Sequence, residues 1–332
     1  MSELLTQLSD HLSGLHPSVF GRDTHAPFQL NRLSGGHHNV NYSVHFKGDE
    51  RPSHVLRFYP TPQEDGVDVI VHEHTRLKVL DGVLAPRVYH LGNPDFLPGS
   101  FLLMEFIPGE HRSYDAMPKE HVQALAGVLA DIHAQRSPTF SPSPGTPHQE
   151  GTYLDAAKAA HQTWVITPLG KVNLEHYSEA AQLLNRAITR YEEHIQQNAR
   201  AFAGSSFALL HGDPNPGNVL WHDQGITFID WSESEYGDPA AELSFLFTVN
   251  HVSSEFKEGF LAAYEERHAD PYLQARITVH DLGSRIADLV WSLGNLERER
   301  LGTGAELLRR EEGVFRGYYE QRLEALRRLL NS

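Results

Sequence analysis

The segment His211-Gly-Asp213-Pro-Asn-Pro-Gly-Asn218-Val-Leu-Trp-His-Asp-Gln-Gly-Ile-Thr-Phe-Ile-Asp230 sets out an Asp, an Asn five positions later, and a second Asp beyond a short hairpin. Transfer of a phosphoryl group needs a carboxylate that orients the attacking hydroxyl and accepts its proton. It also needs hard oxygen ligands for the Mg²⁺ that neutralises the phosphates. Asp213, in a Gly/Pro-rich turn after a strand, suits the first task. Asn218 and Asp230, on facing sides of the hairpin, suit the second. Taken singly, Asp213 and Asn218 are equally good turn formers. The ordered set of three, with strands on both sides, is what points to chemistry.

These groups have to be positioned, and the rest of the chain supplies the frame. Residues 1–20 carry Leu4, Leu5, Leu8, Leu12 and Leu15, a helical period that Pro17 stops. Strand-like runs follow at 28–33, 40–46 and 54–59, the second with clear alternation. A helix is predicted over 69–80, and two further strands over 87–91 and 100–107. Residues 1–107 therefore read as an antiparallel sheet with one inserted helix. Beyond Pro108-Gly109 the character becomes helical. Val122, Leu125, Leu129 and Ile132 form an apolar stripe through 118–135. The Pro/Ser-rich stretch 137–147 reads as a loop or mobile connector. Residues 153–201 are mostly helical, strands are expected at about 207–210, 218–222 and 226–230, and three more helices between 239 and 330, the last at 305–330.

Composition narrows the class. The 332 residues are 40% hydrophobic and 21% charged, as in ordinary soluble globular proteins. Cysteine is absent, which excludes disulfides and thiolate metal sites. The net charge of −15 argues against non-specific nucleic-acid binding and is compatible with a cationic small substrate or simply with solubility. The 22 histidines are scattered: His72 and His74 straddle Glu73, and His37 and His38 are adjacent, so neither pair shares a helix face as i, i+4 metal ligands would. The N-terminus lacks the basic and apolar regions of a secretion signal, and the run 101–107 is too short to span a bilayer. The expectation is a cytoplasmic protein without membrane or nucleic-acid partners.

HGDPNPGNVLW followed by FIDWSESEYGDPAAELS resembles the aminoglycoside phosphotransferase and choline kinase family, small-molecule kinases whose signature is H-G-D-x-x-x-x-N, then I-D-[WF], then G-D-P-x-x-[DE]-L. Two departures are visible: Pro214-Asn215 where Leu-His is frequent, and Glu242 where Asp is usual. The resemblance implies an α+β, protein-kinase-like two-lobed fold. Its N-lobe, 1–107, would be a nucleotide-binding antiparallel sheet plus helix. Its mainly helical C-lobe, 108–332, would carry the catalytic hairpins and a substrate-binding or lid region.

The same resemblance implies roles for individual residues. Asp213 would be the catalytic base, and Asn218 and Asp230 the Mg²⁺ ligands. Ser34, Gly35 and Gly36 lie where the family has its nucleotide loop, although Gly-Gly is equally a tight hairpin. Arg57 stands where kinases carry the phosphate-binding Lys, and Glu73 would orient it; the plainer alternatives are an edge-strand charge and a solvated helix carboxylate. Met104, Glu105 and Ile107 correspond to the hinge, with Met104 lining the adenine pocket and backbone groups of the other two at the adenine edge, or else form a plain buried strand. His133 reads as a packing or hydrogen-bonding residue. Trp164, Trp231 and Trp291 are candidates for an aromatic wall around a cationic substrate, and Glu233, Glu235 and Asp238 for negative charge at the acceptor site.

The implied reaction is transfer of the γ-phosphoryl group of ATP, with GTP left open, to a hydroxyl of an aminoglycoside-, choline- or amino-sugar-like alcohol, with ATP between the lobes. The competing readings are a Ser/Thr protein kinase of the same fold and a nucleotide-binding pseudokinase that acts by binding alone.

Overall fold

Alternation in Val40–Phe46 sends Tyr42, Val44 and Phe46 to one side of a strand and Asn41, Ser43 and His45 to the other. The computed structural model, which describes residues 2–33, 39–60, 67–80, 82–302 and 314–331, shows how that alternation is used. Among the described residues, β1 (Phe28–Arg32), β2 (Val40–Phe46), β3 (His54–Phe58), β4 (Val88–Gly92) and β5 (Phe101–Glu105) form a five-stranded antiparallel sheet in the order β1-β2-β3-β5-β4.

The register pairs Tyr42 with Leu56 and Leu56 with Leu103. These residues, with Val44, Phe46, Phe58 and Phe101, bury one face against Leu8 and Leu12 of α1 (Ser2–Ser13). Asn41 pairs with Arg57 and Arg57 with Leu102, so the opposite face carries polar groups. On that side α2 (Val69–Leu80) buries Ile70, Glu73, Leu77 and Leu80. A sheet that is apolar on one side and selectively polar on the other is suited to carrying a site.

Packing divides the chain into two compact units: residues 1–112 with 217–233, and residues 113–216 with 234–332. The hairpin of strands Val219–His222 and Gly225–Phe228 thus groups with the N-terminal sheet. A two-residue turn, Asp223–Gln224, joins its strands. Gly225, at φ 136°, supplies a backbone geometry that L side chains rarely adopt. The hairpin is tied to the chain after β5 by reciprocal bonds, Glu110 N–H to Trp221 O and Trp221 N–H to Glu110 O, both at 2.9 Å.

In the second unit, helix Lys119–His133 buries Val122, Leu125, Leu129 and Ile132, the expected stripe. Helix Ser178–Gln197 buries Ala180, Leu183, Leu184, Ala187, Tyr191 and Ile195, and packs with the long helix Leu273–Leu301. Strand Phe207–Leu210 is flanked by Glu235–Gly237 and Arg136–Ser137. Four helices follow residue 238 among the described residues, one more than the sequence predicts: Pro239–Val249, Ser254–Glu265, Leu273–Leu301 and Val314–Asn331. The first two are separated by only four residues, and Ser253 caps the second by accepting from Phe256 N–H at 3.1 Å.

The Pro/Ser-rich stretch is a packed loop. Phe140 is buried against Phe207, and Ser141 Oγ donates within the loop, with Ser143 O and Thr146 O at 3.0 and 3.1 Å. One aromatic anchor outweighs a composition that otherwise favours mobility. Among the described residues, no helix is long and apolar enough to cross a membrane.

Candidate active site

Strand Phe207–Leu210 is wholly apolar and runs into the turn that carries Asp213. Gly212 makes the turn at φ 88°, where a side chain would be strained. The turn is then fastened at several points. Gly212 N–H donates to Glu242 Oε1 at 2.6 Å, and Asp213 N–H to His211 Nδ1 at 3.2 Å. The buried hydroxyl of Tyr114 donates to Pro214 O at 2.9 Å. Asn215 donates twice to Asp213: its backbone N–H to the carbonyl, and its side-chain amide to Oδ2, each at 2.8 Å. The Asp213 side chain remains half-exposed, held but reachable.

Glu242 is itself held. His133 Nε2 lies 2.6 Å from Glu242 Oε2, and His133 Nδ1 lies 2.7 Å from Tyr264 Oη, all three groups being buried. A carboxylate only accepts, so His133 Nε2 carries a proton and donates it towards Glu242. Burial pushes the Glu242 carboxyl up. The His133 bond and charge, His211 and the Gly212 amide outweigh burial and leave its pKa below the ordinary value. His133 therefore acts as the hydrogen-bonding residue that the sequence suggests, joined to the Asp213 turn through Glu242.

The other candidate residues belong to the N-terminal unit. Asn218 and Asp230 flank the open end of the hairpin: Ile229 N–H donates to Asn218 O at 2.9 Å, next to the Val219–Phe228 pair. Regular pairing ends at Phe228 rather than continuing to Asp230. Asp230 takes φ 65°, a left-handed conformation that Asp tolerates better than most residues and that turns its carboxylate out of the strand.

Arg57 meets that carboxylate through both terminal nitrogens, Nη1 to Oδ1 at 3.0 Å and Nη2 to Oδ2 at 2.9 Å. It also donates to Glu73 Oε1 at 2.5 Å, and Trp231 N–H donates to the same Glu73 oxygen at 3.1 Å. Burial opposes charge on both Arg57 and Glu73. On the guanidinium, Asp230 and Glu73 outweigh it and hold the pKa above its ordinary range. Burial, helped by Asp230, outweighs the Arg57 guanidinium at 2.5 Å and the Trp231 N–H and raises the Glu73 carboxyl above its ordinary value.

The register puts Met104, which pairs with Val55, on the Arg57 face of the sheet, where it is buried. Glu105 ends β5, its N–H donating to Arg87 O at 2.8 Å and its carboxylate accepting from Arg87 N–H at 3.3 Å. Ile107 follows, half-buried. Ser34, Gly35 and Gly36 lie outside the described residues.

The tryptophans do not form a common wall. Trp231 is fully buried and its indole N–H donates to Phe228 O at 2.9 Å. Trp291 already faces a cation of the protein, the Arg322 guanidinium 5.3 Å from its ring. Trp164 is 45% exposed and donates to Pro142 O. Asp238 and Glu235 are buried. Asp238 caps helix Pro239–Val249 and pairs with Arg276 at 2.8 Å, so it serves the fold rather than an acceptor.

Sequence reasoning passed over Asn39, Asn41, Asn215, Tyr114 and Tyr264. For Asn39 and Asn41 a signal was present: two amides at a spacing of two, hence on one face, at the start of an alternating strand.

Comparison with known proteins bears on the family and the fold. The Phosphotransferase enzyme family is matched over residues 29–276. The serine/threonine protein kinase RdoA of Salmonella typhimurium is 25% identical over 236 residues, 68% of this chain and 66% of the relative, so the chain spans just under two thirds of that protein's length. A choline/ethanolamine kinase family protein from Mesorhizobium loti superposes with a TM-score of 0.61 at 18% identity, covering 99% of this chain and 95% of the other. A thermostable mutant of aminoglycoside phosphotransferase APH(4)-Ia, in ternary complex with ADP and hygromycin B, gives a TM-score of 0.60 at 18% identity, with 97% and 98% coverage. The chain has the kinase-like α+β fold and belongs to the phosphotransferase enzyme family.

Proposed function

We propose that this chain transfers the γ-phosphoryl group of ATP to a hydroxyl of a small molecule. The observation that carries the reading is the Glu73–Arg57–Asp230 constellation, in which a buried strand cation is shared between a helix carboxylate and the carboxylate at the hairpin mouth. Kinases present a strand cation to nucleotide phosphates and orient it from a helix Glu in this way. Ser34, Gly35 and Gly36 would approach the phosphates through backbone amides. Met104 would line the adenine, with the Glu105 carbonyl and Ile107 amide at its edge.

Asp213 accepts the proton of the acceptor hydroxyl as its oxygen forms the new bond to phosphorus and the bond from the γ-phosphorus to the β,γ-bridging oxygen breaks, releasing ADP. The tethers on its turn hold that carboxylate in one orientation, so little freedom is lost at the moment of reaction. The hard oxygens of Asp230 and Asn218 suit Mg²⁺, and these two residues would hold it; when bound, it neutralises charge on the phosphates.

The experiment is a screen for acceptor-dependent ADP release over amino sugars, choline-like alcohols and other small alcohols, run beside Asp213→Ala. The expected result is release that requires one acceptor class and disappears in the variant, with nucleotide affinity little changed. Retained turnover in Asp213→Ala would remove it as the base, and no acceptor-dependent release at all would favour a binding-only role. The likeness to RdoA, named a serine/threonine protein kinase, supports a second reading with a protein hydroxyl as acceptor. Labelled phosphate appearing on a protein rather than on a small alcohol would select it.

A further inference from the structure

The Asp230 carboxylate is already saturated. Its Oδ1 accepts from Arg57 Nη1 at 3.0 Å and Ser232 Oγ at 2.9 Å. Its Oδ2 accepts from Arg57 Nη2 at 2.9 Å and Asn39 Nδ2 at 3.3 Å. A carboxylate offers about four lone-pair positions, and among the described residues at least these four donors take them up.

Arg57 is pinned from its far side as well. Its Nε donates to Asn41 Oδ1 at 3.1 Å, and Asn41 Nδ2 donates to Asn39 Oδ1 at 2.9 Å. Asn39, Asn41, Arg57 and Asp230 thus close a ring of hydrogen bonds on the polar face of the sheet. Each amide uses its oxygen for one neighbour in the ring and its nitrogen for the other.

A cation can reach Asp230 only where a donor leaves. Ser232 and Asn39 are neutral and can remain beside a metal. The guanidinium is a cation on the same two oxygens, and its attraction to them is what a second cation replaces. We propose that Arg57 is the resident counter-ion of Asp230 in the metal-free protein, that a divalent cation binds there by displacing it, and that Asn39 and Asn41 are positioning residues holding the resting pair. This rests on Asp230 being a metal ligand. Its consequence is that the site holds metal weakly by itself. Phosphates, by offering the released guanidinium a new anion, draw metal and nucleotide in together.

The test is a nucleotide-free Mn²⁺ titration of the full chain, read by electron paramagnetic resonance, which needs no turnover. Arg57→Gln should bind Mn²⁺ about tenfold tighter or more than the parent, because the competing charge is gone. Asn41→Ala keeps that charge and frees Arg57 on one side; it should tighten binding about threefold, and it decides the matter if Arg57→Gln does not fold. Affinities equal to or weaker than the parent's in both variants overturn the exchange. Asp230→Asn separates the two layers. Loss of Mn²⁺ binding there, with no gain in the other variants, overturns the exchange alone. Undiminished Mn²⁺ binding in Asp230→Asn overturns the metal assignment and the exchange with it.

Discussion

Glu242 Oε1 accepts the amide hydrogen of Gly212 at 2.6 Å, one residue before Asp213, while its other oxygen is held by His133 at 2.6 Å. One buried carboxylate therefore spans from helix Lys119–His133 to the turn that presents the proposed base. The reach of the side chain matters, since both contacts are short and neither partner is free to follow. Glu242→Asp keeps the charge but withdraws it by one methylene, and one of the two contacts has to lengthen. We expect kcat to fall about 10–100-fold with a small change in nucleotide KM, because misplacing a reacting group by an ångström costs on that order. An unchanged kcat would show that the turn keeps its shape without this contact.

Asn215 tests the orientation of the base more directly. Its amide nitrogen lies 2.8 Å from Asp213 Oδ2, within the same turn. Asn215→Ala removes a tether without touching the core, so denaturant stability should change by less than about 1 kcal/mol, as for an ordinary lost hydrogen bond. We expect kcat to drop severalfold and the nucleotide KM to stay fixed. A fall in stability of several kcal/mol with proportionate loss of activity would instead mark Asn215 as structural.

The legible part of the fold was the part governed by local periodicity. Alternation at Asn41–Phe46 and the apolar stripe from Val122 to Ile132 depend on near neighbours only, and both elements lie where the sequence places them. Composition leaves residues 137–147 as either a loop or a mobile connector, and Phe140, a single aromatic with a distant partner in Phe207, decides that the loop is packed. At the site, Asp213, Asn218 and Asp230 are proposed from one segment because a turn and a hairpin fix their order. The tethers could not be read from it. Glu242 reaches Gly212 across thirty residues and Asn39 reaches Asp230 across 191, and no sequence period reports such pairings. The saturation of Asp230 likewise depends on Arg57 and Asn39, which are distant in sequence, with Ser232 alone a near neighbour.

Gly109 carries a steric requirement. A Cβ there would lie 2.9 Å from Trp221 O and 3.2 Å from Leu220 Cβ, against the bridge that fastens the hairpin through Glu110. Both obstructing groups sit in a paired strand and have little room to move. Gly109→Ala should cost about 1–3 kcal/mol, the usual penalty of overpacking, read as a lower urea midpoint at unchanged slope. A variant as stable as the parent would mean that the segment after β5 can shift away from the hairpin without loss.

His54 sets a pH dependence. Its ring is buried among Phe20, Phe46 and Tyr89; Nδ1 lies 2.7 Å from Ser53 Oγ, and Nε2 has no hydrogen-bond partner among the described residues. Burial, reinforced by the Arg22 guanidinium and opposed by Asp49, lowers its pKa from 6.5 to about 4. Above pH 6.5 the imidazole is neutral in both folded and unfolded chains, and this residue adds no pH dependence. As pH falls from 6.5 towards about 4, the unfolded chain takes up a proton that the folded chain refuses, so stability declines. The slope approaches about 1.4 kcal/mol per pH unit and the total loss is on the order of 3 kcal/mol, flattening below the folded pKa. His54→Leu removes the titrating group while keeping an apolar side chain in the cluster. Urea midpoints measured between pH 7.5 and 4 should therefore fall more steeply for the parent than for the variant as pH drops. Parallel lines for the two proteins across that window would mean that His54 is protonated as readily in the folded chain as in the unfolded one.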